Sequence, residues 1–279
     1  MTAWIGGNGE SLFQDNKDNY WGPLAGYRVN TGLLTAGIDG MFSKYFYAGA
    51  MGGYTHSHFH WKSGKGTGDI NSGYAGLYFS GLGKLFYGNA SIIGGWSQYS
   101  ADRHIEYGAV DLIAKNDHGG AQLLSHVDTG LNFHYYGLTI RPFESFDYMT
   151  QVENAYQEHN AGAWDLAVKK RNAIMMRNEL GLQFAKCYCV SKTKWILSPK
   201  LSWVREVRVK GSDFTVRFAQ AGPDFRTQGY FPNRNIFAPG LAITVYALQD
   251  TLKIDTYYNG EFTGKYDSSN FGGQLRYSF

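Results

Sequence analysis

Phe271-Gly272-Gly273-Gln274-Leu275-Arg276-Tyr277-Ser278-Phe279 ends the chain. Counted back from the terminus, Phe279, Tyr277, Leu275, Gly273 and Phe271 fall on one side, and Ser278, Arg276, Gln274 and Gly272 on the other. Successive side chains of a strand point to opposite faces, so this segment predicts a strand with one apolar and one wettable face.

The same period of two runs upstream. Leu34, Ala36, Ile38 and Phe42 oppose Thr35, Gly37 and Asp39. Ile174, Met176, Leu180, Leu182 and Phe184 oppose Arg177, Glu179 and Gln183, and Trp195, Leu197, Leu201 and Trp203 oppose Ser198, Lys200 and Ser202. No stretch shows helical spacing. The pattern divides into about twelve candidate strands, at 2–13, 28–42, 45–60, 69–82, 84–101, 120–136, 138–152, 168–186, 193–208, 234–248, 251–263 and 268–279. Links after even strands are short, as at Ser43-Lys44, Tyr136-Gly137 and Gln249-Asp250. Most links after odd strands are long and polar, as at 102–119 and 211–233, and carry no evident element of their own. Segregated link lengths put all short turns at one end. That is the plan of an all-β, transmembrane, antiparallel up-and-down barrel, spanning residues 1–279 as one domain.

Composition agrees. The chain has 279 residues, 36 Gly, 16% aromatic residues and 6 Pro. This suits a curved, fully paired sheet, because Pro removes a ladder hydrogen bond and Gly permits bends. Net charge is +3, too small to indicate a nucleic-acid partner. Mean hydropathy is −0.35, and no apolar run is long enough for a membrane helix. Barrel strands, apolar only at alternate positions, escape that window. No leader follows Met1, and an exported barrel requires one. The barrel reading therefore expects a domain cut from a longer precursor.

Outward residues are expected to face lipid. Trp4, Tyr54, Tyr99, Trp195, Trp203, Tyr230, Tyr246, Tyr266 and Tyr277, near strand ends, are expected to ring the two water interfaces. The inward candidates are Asp39, Arg141, Asp147, Arg177, Glu179, Lys200, Asp255 and Arg276, a wet lining of both charge signs. Two readings of them stay open: mutual pairing across the bore, or a specific grip on a helix or passing chain. Cys187 and Cys189 form a C-x-C read as two free thiols near a turn. His56, His58 and His60 share one strand face, but no further ligand has metal spacing, so neither metal nor cofactor is expected. His126 and Asp128 share an inward face, yet no motif places a nucleophilic Ser, so the chain is not expected to be an enzyme.

Several segments resemble the C-terminal translocator domain of autotransporters (type V secretion), with a chlamydial flavour. Trp4 to Gly9 is similar to that family's opening strand, and Thr31 to Gly40 to its second. Asn71 to Tyr78, Arg141 to Tyr148, Arg177 to Leu182 and Phe271 to Phe279 resemble later ones. The resemblance implies a bacterial outer-membrane translocator that anchors and exports a covalently linked N-terminal passenger. It implies outer-membrane lipid and the barrel-assembly machinery as partners, the latter reading Phe271, Leu275, Tyr277 and Phe279. Long loops are then expected outside the cell, both termini on the periplasmic side, and the barrel monomeric. The family's pore-filling helix has no counterpart between Met1 and Trp4, where the strand pattern has already begun; if the chain begins at Met1 in nature, passenger transport by this polypeptide is in question. The alternatives are a passive porin-like or structural barrel and, further off, a barrel hydrolase.

Overall fold

The computed structural model describes residues 1–19, 22–211, 213–229 and 234–279. Twelve long strands form one antiparallel sheet, each hydrogen-bonded to its sequence neighbours. They are β1 (Thr2–Gln14), β2 (Tyr27–Ser43), β3 (Phe46–Trp61), β4 (Gly66–Leu82), β5 (Phe86–Tyr107), β6 (Val110–Leu131), β7 (Leu138–Glu153), β8 (Arg171–Val190), β9 (Thr193–Lys210), β10 (Arg234–Ala247), β11 (Leu252–Thr263) and β12 (Tyr266–Ser278). The last strand pairs with the first from Thr2↔Ser278 to Gln14↔Tyr266, which closes the barrel. Closure removes the sheet edge, so every strand has a hydrogen-bonding neighbour on both sides. Only such a sheet can lie in hydrocarbon.

Turns at one end are short. Residues 44–45, 191–192 and 248–251 connect hairpins there, and the backbone of Phe279 donates to the Met1 carbonyl at 3.0 Å, so both termini share that end. Tyr136 and Gly137 both have positive φ (45° and 78°), the signature of a tight hairpin turn. This turn folds the short outlying strand Phe133–Tyr135 onto the start of β7.

The far end corrects the expectation of unstructured loops. Residues 102–119 are not a loop: β5 and β6 pair without a break to Tyr107↔Val110, and Gly108 turns the tip. The links at 62–65 and 264–265 are short as well. The region 211–233 contributes Asp213–Phe218 and Phe225–Gln228 to a small four-stranded sheet with Tyr156–Gln157 and Leu166–Val168. That sheet joins the tall hairpin through the Lys115↔His159 bridge and through Arg103, whose guanidinium donates to buried Glu158 at 2.9 and 2.6 Å. Ile105, Ala114 and Ala161 form a core between them. Polar composition hid these strands, because their apolar residues are spread over distant segments.

The burial pattern is inverted relative to a water-soluble protein. Among the described residues the largest fully buried side chains include Gln14 and Ser97 beside Ile236 and Val204. Leu34, Leu77, Leu180 and Phe271 stand outward, 58%, 62%, 55% and 63% exposed. A water-soluble monomer rarely exposes so continuous an apolar surface; a lipid-facing wall requires it.

Of the expected interfacial rings, Tyr54, Trp195, Trp203 and Tyr277 are exposed on the outer wall. On β9 the outward rings Trp195 and Trp203 bracket Leu197, Pro199 and Leu201. At about 3.3 Å per residue and a tilt near 40°, they lie roughly 20 Å apart along the membrane normal, close to the apolar height of such barrels. Trp4, Tyr99, Tyr246 and Tyr266 correct the expectation, because their strand parity turns them inward. The Trp4 indole donates to Tyr78 Oη at 2.7 Å, Tyr99 stacks on His118, and Tyr266 is 4% exposed. Position near a strand end does not tell which face a ring occupies. Tyr230 lies outside the described residues.

Candidate functional site

The bore of the barrel gathers the inward residues of all twelve strands. Asp39, Arg141, Asp147, Arg177, Glu179, Lys200, Asp255 and Arg276 all lie on inward positions, where register sets them into three groups.

The first lies at the short-turn mouth. Buried Asp39 on β2 meets the Arg276 guanidinium of β12 at 3.0 Å and accepts a hydrogen bond from Tyr78 Oη at 2.7 Å. Glycine makes room for this cluster. A Cβ on Gly49 would lie 2.3 Å from the Tyr78 ring, and one on Gly37 would lie 2.6 Å from the Trp4 ring. Nearby, Lys253 reaches Asp255 at 2.8 Å.

The second lies on β5, β6 and β7. His126 is held by two carboxylates, Asp147 at Nδ1 (2.6 Å) and Asp128 at Nε2 (3.3 Å). Both ring nitrogens are therefore engaged by carboxylates. Asn89 donates to both oxygens of Asp128. Arg141 lies over the Tyr87 ring and donates to Asn132 at 2.8 Å and Gln183 at 3.2 Å.

The third is the strongest. Arg177 of β8 reaches across to Glu261 of β11, and lies 3.7 Å from Glu206 and 4.0 Å from Asp147. Beside it, Glu179 accepts from Lys200 at 2.8 Å and from Ser202 at 2.6 Å. Arg234 stacks on Tyr266 and contacts Glu206. Glu10 faces the same cavity of about 430 Å³, with the Ser268 hydroxyl donating to it at 2.6 Å.

Sequence reasoning missed the other half of the lining. Met51, Ile93, Leu124, Met149 and Met175 also occupy inward positions. They lie in one register row, linked through Met51↔Gly76, Gly76↔Ile93, Ile93↔Leu124, Leu124↔Met149 and Met149↔Met175. A cavity of about 340 Å³ opens on Met51, Ile93, Leu124 and Met149. The bore is thus two-sided, apolar at mid-height from β3 to β8 and ionic from β8 through β12 to β1. A scan for inward charges could not find an inward row of Met and Leu. Register was the missing signal.

His56, His58 and His60 lie outward above the lipid-facing stretch of β3. His58 Nδ1 meets Asp69 at 2.9 Å and His56 Nδ1 meets Asn71 at 2.9 Å. Among the described residues no group of three or more His, Cys, Asp or Glu has metal-binding geometry. Cys187 and Cys189 are exposed free thiols at the end of β8.

A closed wall, apolar outside and hydrated within, defines a transmembrane β-barrel. A family model, the autotransporter β-domain, matches residues 3–259, and the chain belongs to that family. It is an outer-membrane β-barrel translocator for a passenger. No curated protein matches it in sequence. Among solved structures it is similar to the translocator domain of autotransporter NalP from Neisseria meningitidis, at TM-score 0.74 and 14% identity, covering 100% of this chain and 89% of that one. It is also similar to the β domain of the Bordetella autotransporter BrkA, at TM-score 0.72 and 15% identity with 100% of both chains covered. The transport unit of AIDA-I from Escherichia coli matches at TM-score 0.71 and 13% identity, covering 100% of this chain and 91% of that one. At these identities the likeness is one of fold.

Proposed function

We propose that the barrel sits in the outer membrane as a monomer, with the short turns and both termini in the periplasm and the tall hairpin and small sheet outside. A passenger joined ahead of Met1 would then enter the bore at the short-turn mouth and leave at the far end. The observation that carries this reading is the two-sided bore. An amphipathic segment fits it, with its apolar stripe against the row from Met51 to Met175 and its polar side toward Glu10, Glu179, Arg177 and Lys200. The ionic wall pairs with itself, so a chain in transit meets hydrogen-bonding groups and few uncompensated charges. Phe271, Leu275, Tyr277 and Phe279 line the outward edge of the closing strand, where the barrel-assembly machinery would read them.

The reading assigns the barrel no catalytic step. His126 serves to tie Asp128 of its own strand to Asp147 of the next, and Cys187 and Cys189 serve no chemistry.

The test is a fusion of an epitope-tagged passenger ahead of Met1, expressed behind a leader. External protease on intact cells is expected to remove the tag while the barrel stays heat-modifiable on a gel. A folded, heat-modifiable barrel whose tag stays protected would refute export by this domain.

A further inference from the structure

The outer wall has a gap near its short-turn end. Gly81 of β4 and Gly88 of β5 are paired across the ladder and both point outward. The wall is low there and aromatic rings lean over it: a Cβ on Gly81 would lie 3.0 Å from the Phe46 ring, and one on Gly88 3.6 Å from the Phe86 ring. Phe46 and Phe79 form one side, with ring centroids 5.5 Å apart, and Phe86 the other. The resulting groove has a volume of about 590 Å³, within the range of about 300–1,000 Å³ of small-molecule sites. Rings and aliphatic groups form most of its lining, Asn89, Asp128 and Thr129 border it on β5 and β6 with the Asp128 carboxylate held by Asn89 and His126, and Lys84 stands at the rim nearest the turn. Lys44 lies on the adjacent turn, over the ring of Tyr45 at 4.8 Å. From hydrocarbon depth to the turn, the groove passes from aromatic rings to ammonium groups.

We propose that this groove holds one phosphate-bearing membrane lipid, with an acyl chain laid along the Phe46, Phe79 and Phe86 rings above Gly88 and the phosphate on Lys84, on the side of Lys44. The inference rests on the barrel lying in lipid with this wall outward. An apolar slot that ends in cations at the depth of the turn complements an amphiphile with an anionic head. It does not complement a second copy of the chain. A two-fold contact places the same patch on both partners, and would set Lys84 and Lys44 against their own equivalents. The ordinary lipid annulus exchanges freely, whereas a chain held between Phe46, Phe79 and Phe86 loses contacts when it leaves.

The experiment is native mass spectrometry of the detergent-extracted barrel after repeated exchange into fresh detergent. Lipid phosphorus is assayed on the same samples, and heat-modifiable migration confirms that each variant is a folded barrel. The wild-type barrel is expected to keep about one phospholipid, the stoichiometry of a single pocket. A headgroup lysine is worth roughly a fivefold change in affinity, so Lys84→Glu is expected to lower retention by roughly twentyfold. Gly88→Leu is expected to displace the chain. A Cβ there meets only ordinary contacts, the nearest at 3.6 Å, so the barrel accepts the residue while the groove fills. Three results overturn the proposal: a wild-type barrel that retains no lipid; retained lipid that neither variant reduces, which puts the lipid elsewhere; or a dimer mass that Gly88→Leu abolishes, which makes the groove a protein contact. A barrel that loses heat-modifiability or stays monomeric without detergent would refute the membrane reading instead, independently of lipid content.

Discussion

Leu77→Arg tests the inverted architecture directly. Leu77 is outward on β4, opposite Ala50 of β3 and Ile92 of β5, which also face outward. Its row is completed by Ile38 on β2, near the middle of the apolar band. Arginine at the midplane of a barrel's lipid face costs about 2–4 kcal/mol. The leucine it replaces is 62% exposed to lipid. A fully transferred leucine is worth about 1.5–3 kcal/mol, so its loss adds roughly 1–2 kcal/mol. The expected destabilisation is therefore about 3–6 kcal/mol. It is read from urea titrations of barrel refolded in vesicles, followed by tryptophan emission. Asn259→Lys is the control, since Asn259 lines the cavity that holds Glu10 and Glu261, and an inward change of this kind is expected to stay within about 1 kcal/mol. Were the outer wall in water, Leu77→Arg would fall within about 0.5 kcal/mol of wild type. That outcome, in a barrel that is still heat-modifiable, would refute the argument.

Other consequences follow from the bore and the tall hairpin. Arg177→Met leaves Glu261 and Glu206 without their shared cation, which is expected to cost about 3 kcal/mol in the same titration; adding Glu261→Gln should restore part of that loss, and strict additivity would show that the groups are not coupled. Gly49→Val drives Tyr78 off Asp39 and frees the Trp4 indole, an expected loss of about 2–4 kcal/mol from one charged and one neutral hydrogen bond; a wild-type urea midpoint would mean that the cluster does not hold the mouth together. His104, on the hairpin above the membrane-spanning part of β5, is pushed above the usual histidine range by its hydrogen bond to Asp111 and by the Gly64 carbonyl. A raised value means that the His104–Asp111 ion pair is complete below the ordinary histidine range and is lost as pH rises through the raised one. Amide exchange at residues 104–111, corrected for its intrinsic pH dependence, should then quicken at alkaline pH in wild type and lose that step in Asp111→Asn. Deleting Phe279 is expected to slow insertion of the barrel in cells while leaving refolding in detergent unchanged, and equal defects in both settings would make the residue merely structural.

Much of this architecture was legible in the residues alone. Alternation decides which face of each strand meets lipid. It therefore located Asp39, Arg177, Glu179 and Arg276 on the bore side and Leu34, Leu180 and Phe271 on the outer wall. The reason is local: neighbouring Cβ atoms must oppose each other whatever the rest of the chain does. Tight turns such as Tyr136-Gly137 were visible for the same reason. What alternation could not supply is register, which depends on partners dozens of residues away. The pairing of Arg177 with Glu261, the Met51-to-Met175 row, and the burial of Trp4 and Tyr266 within the barrel all depend on which residues lie opposite when the sheet closes. The strands at 213–218 and 225–228 exist because they join two others at 156–157 and 166–168. No single segment there carries enough apolar surface to announce itself, and only the assembled sheet makes them strands.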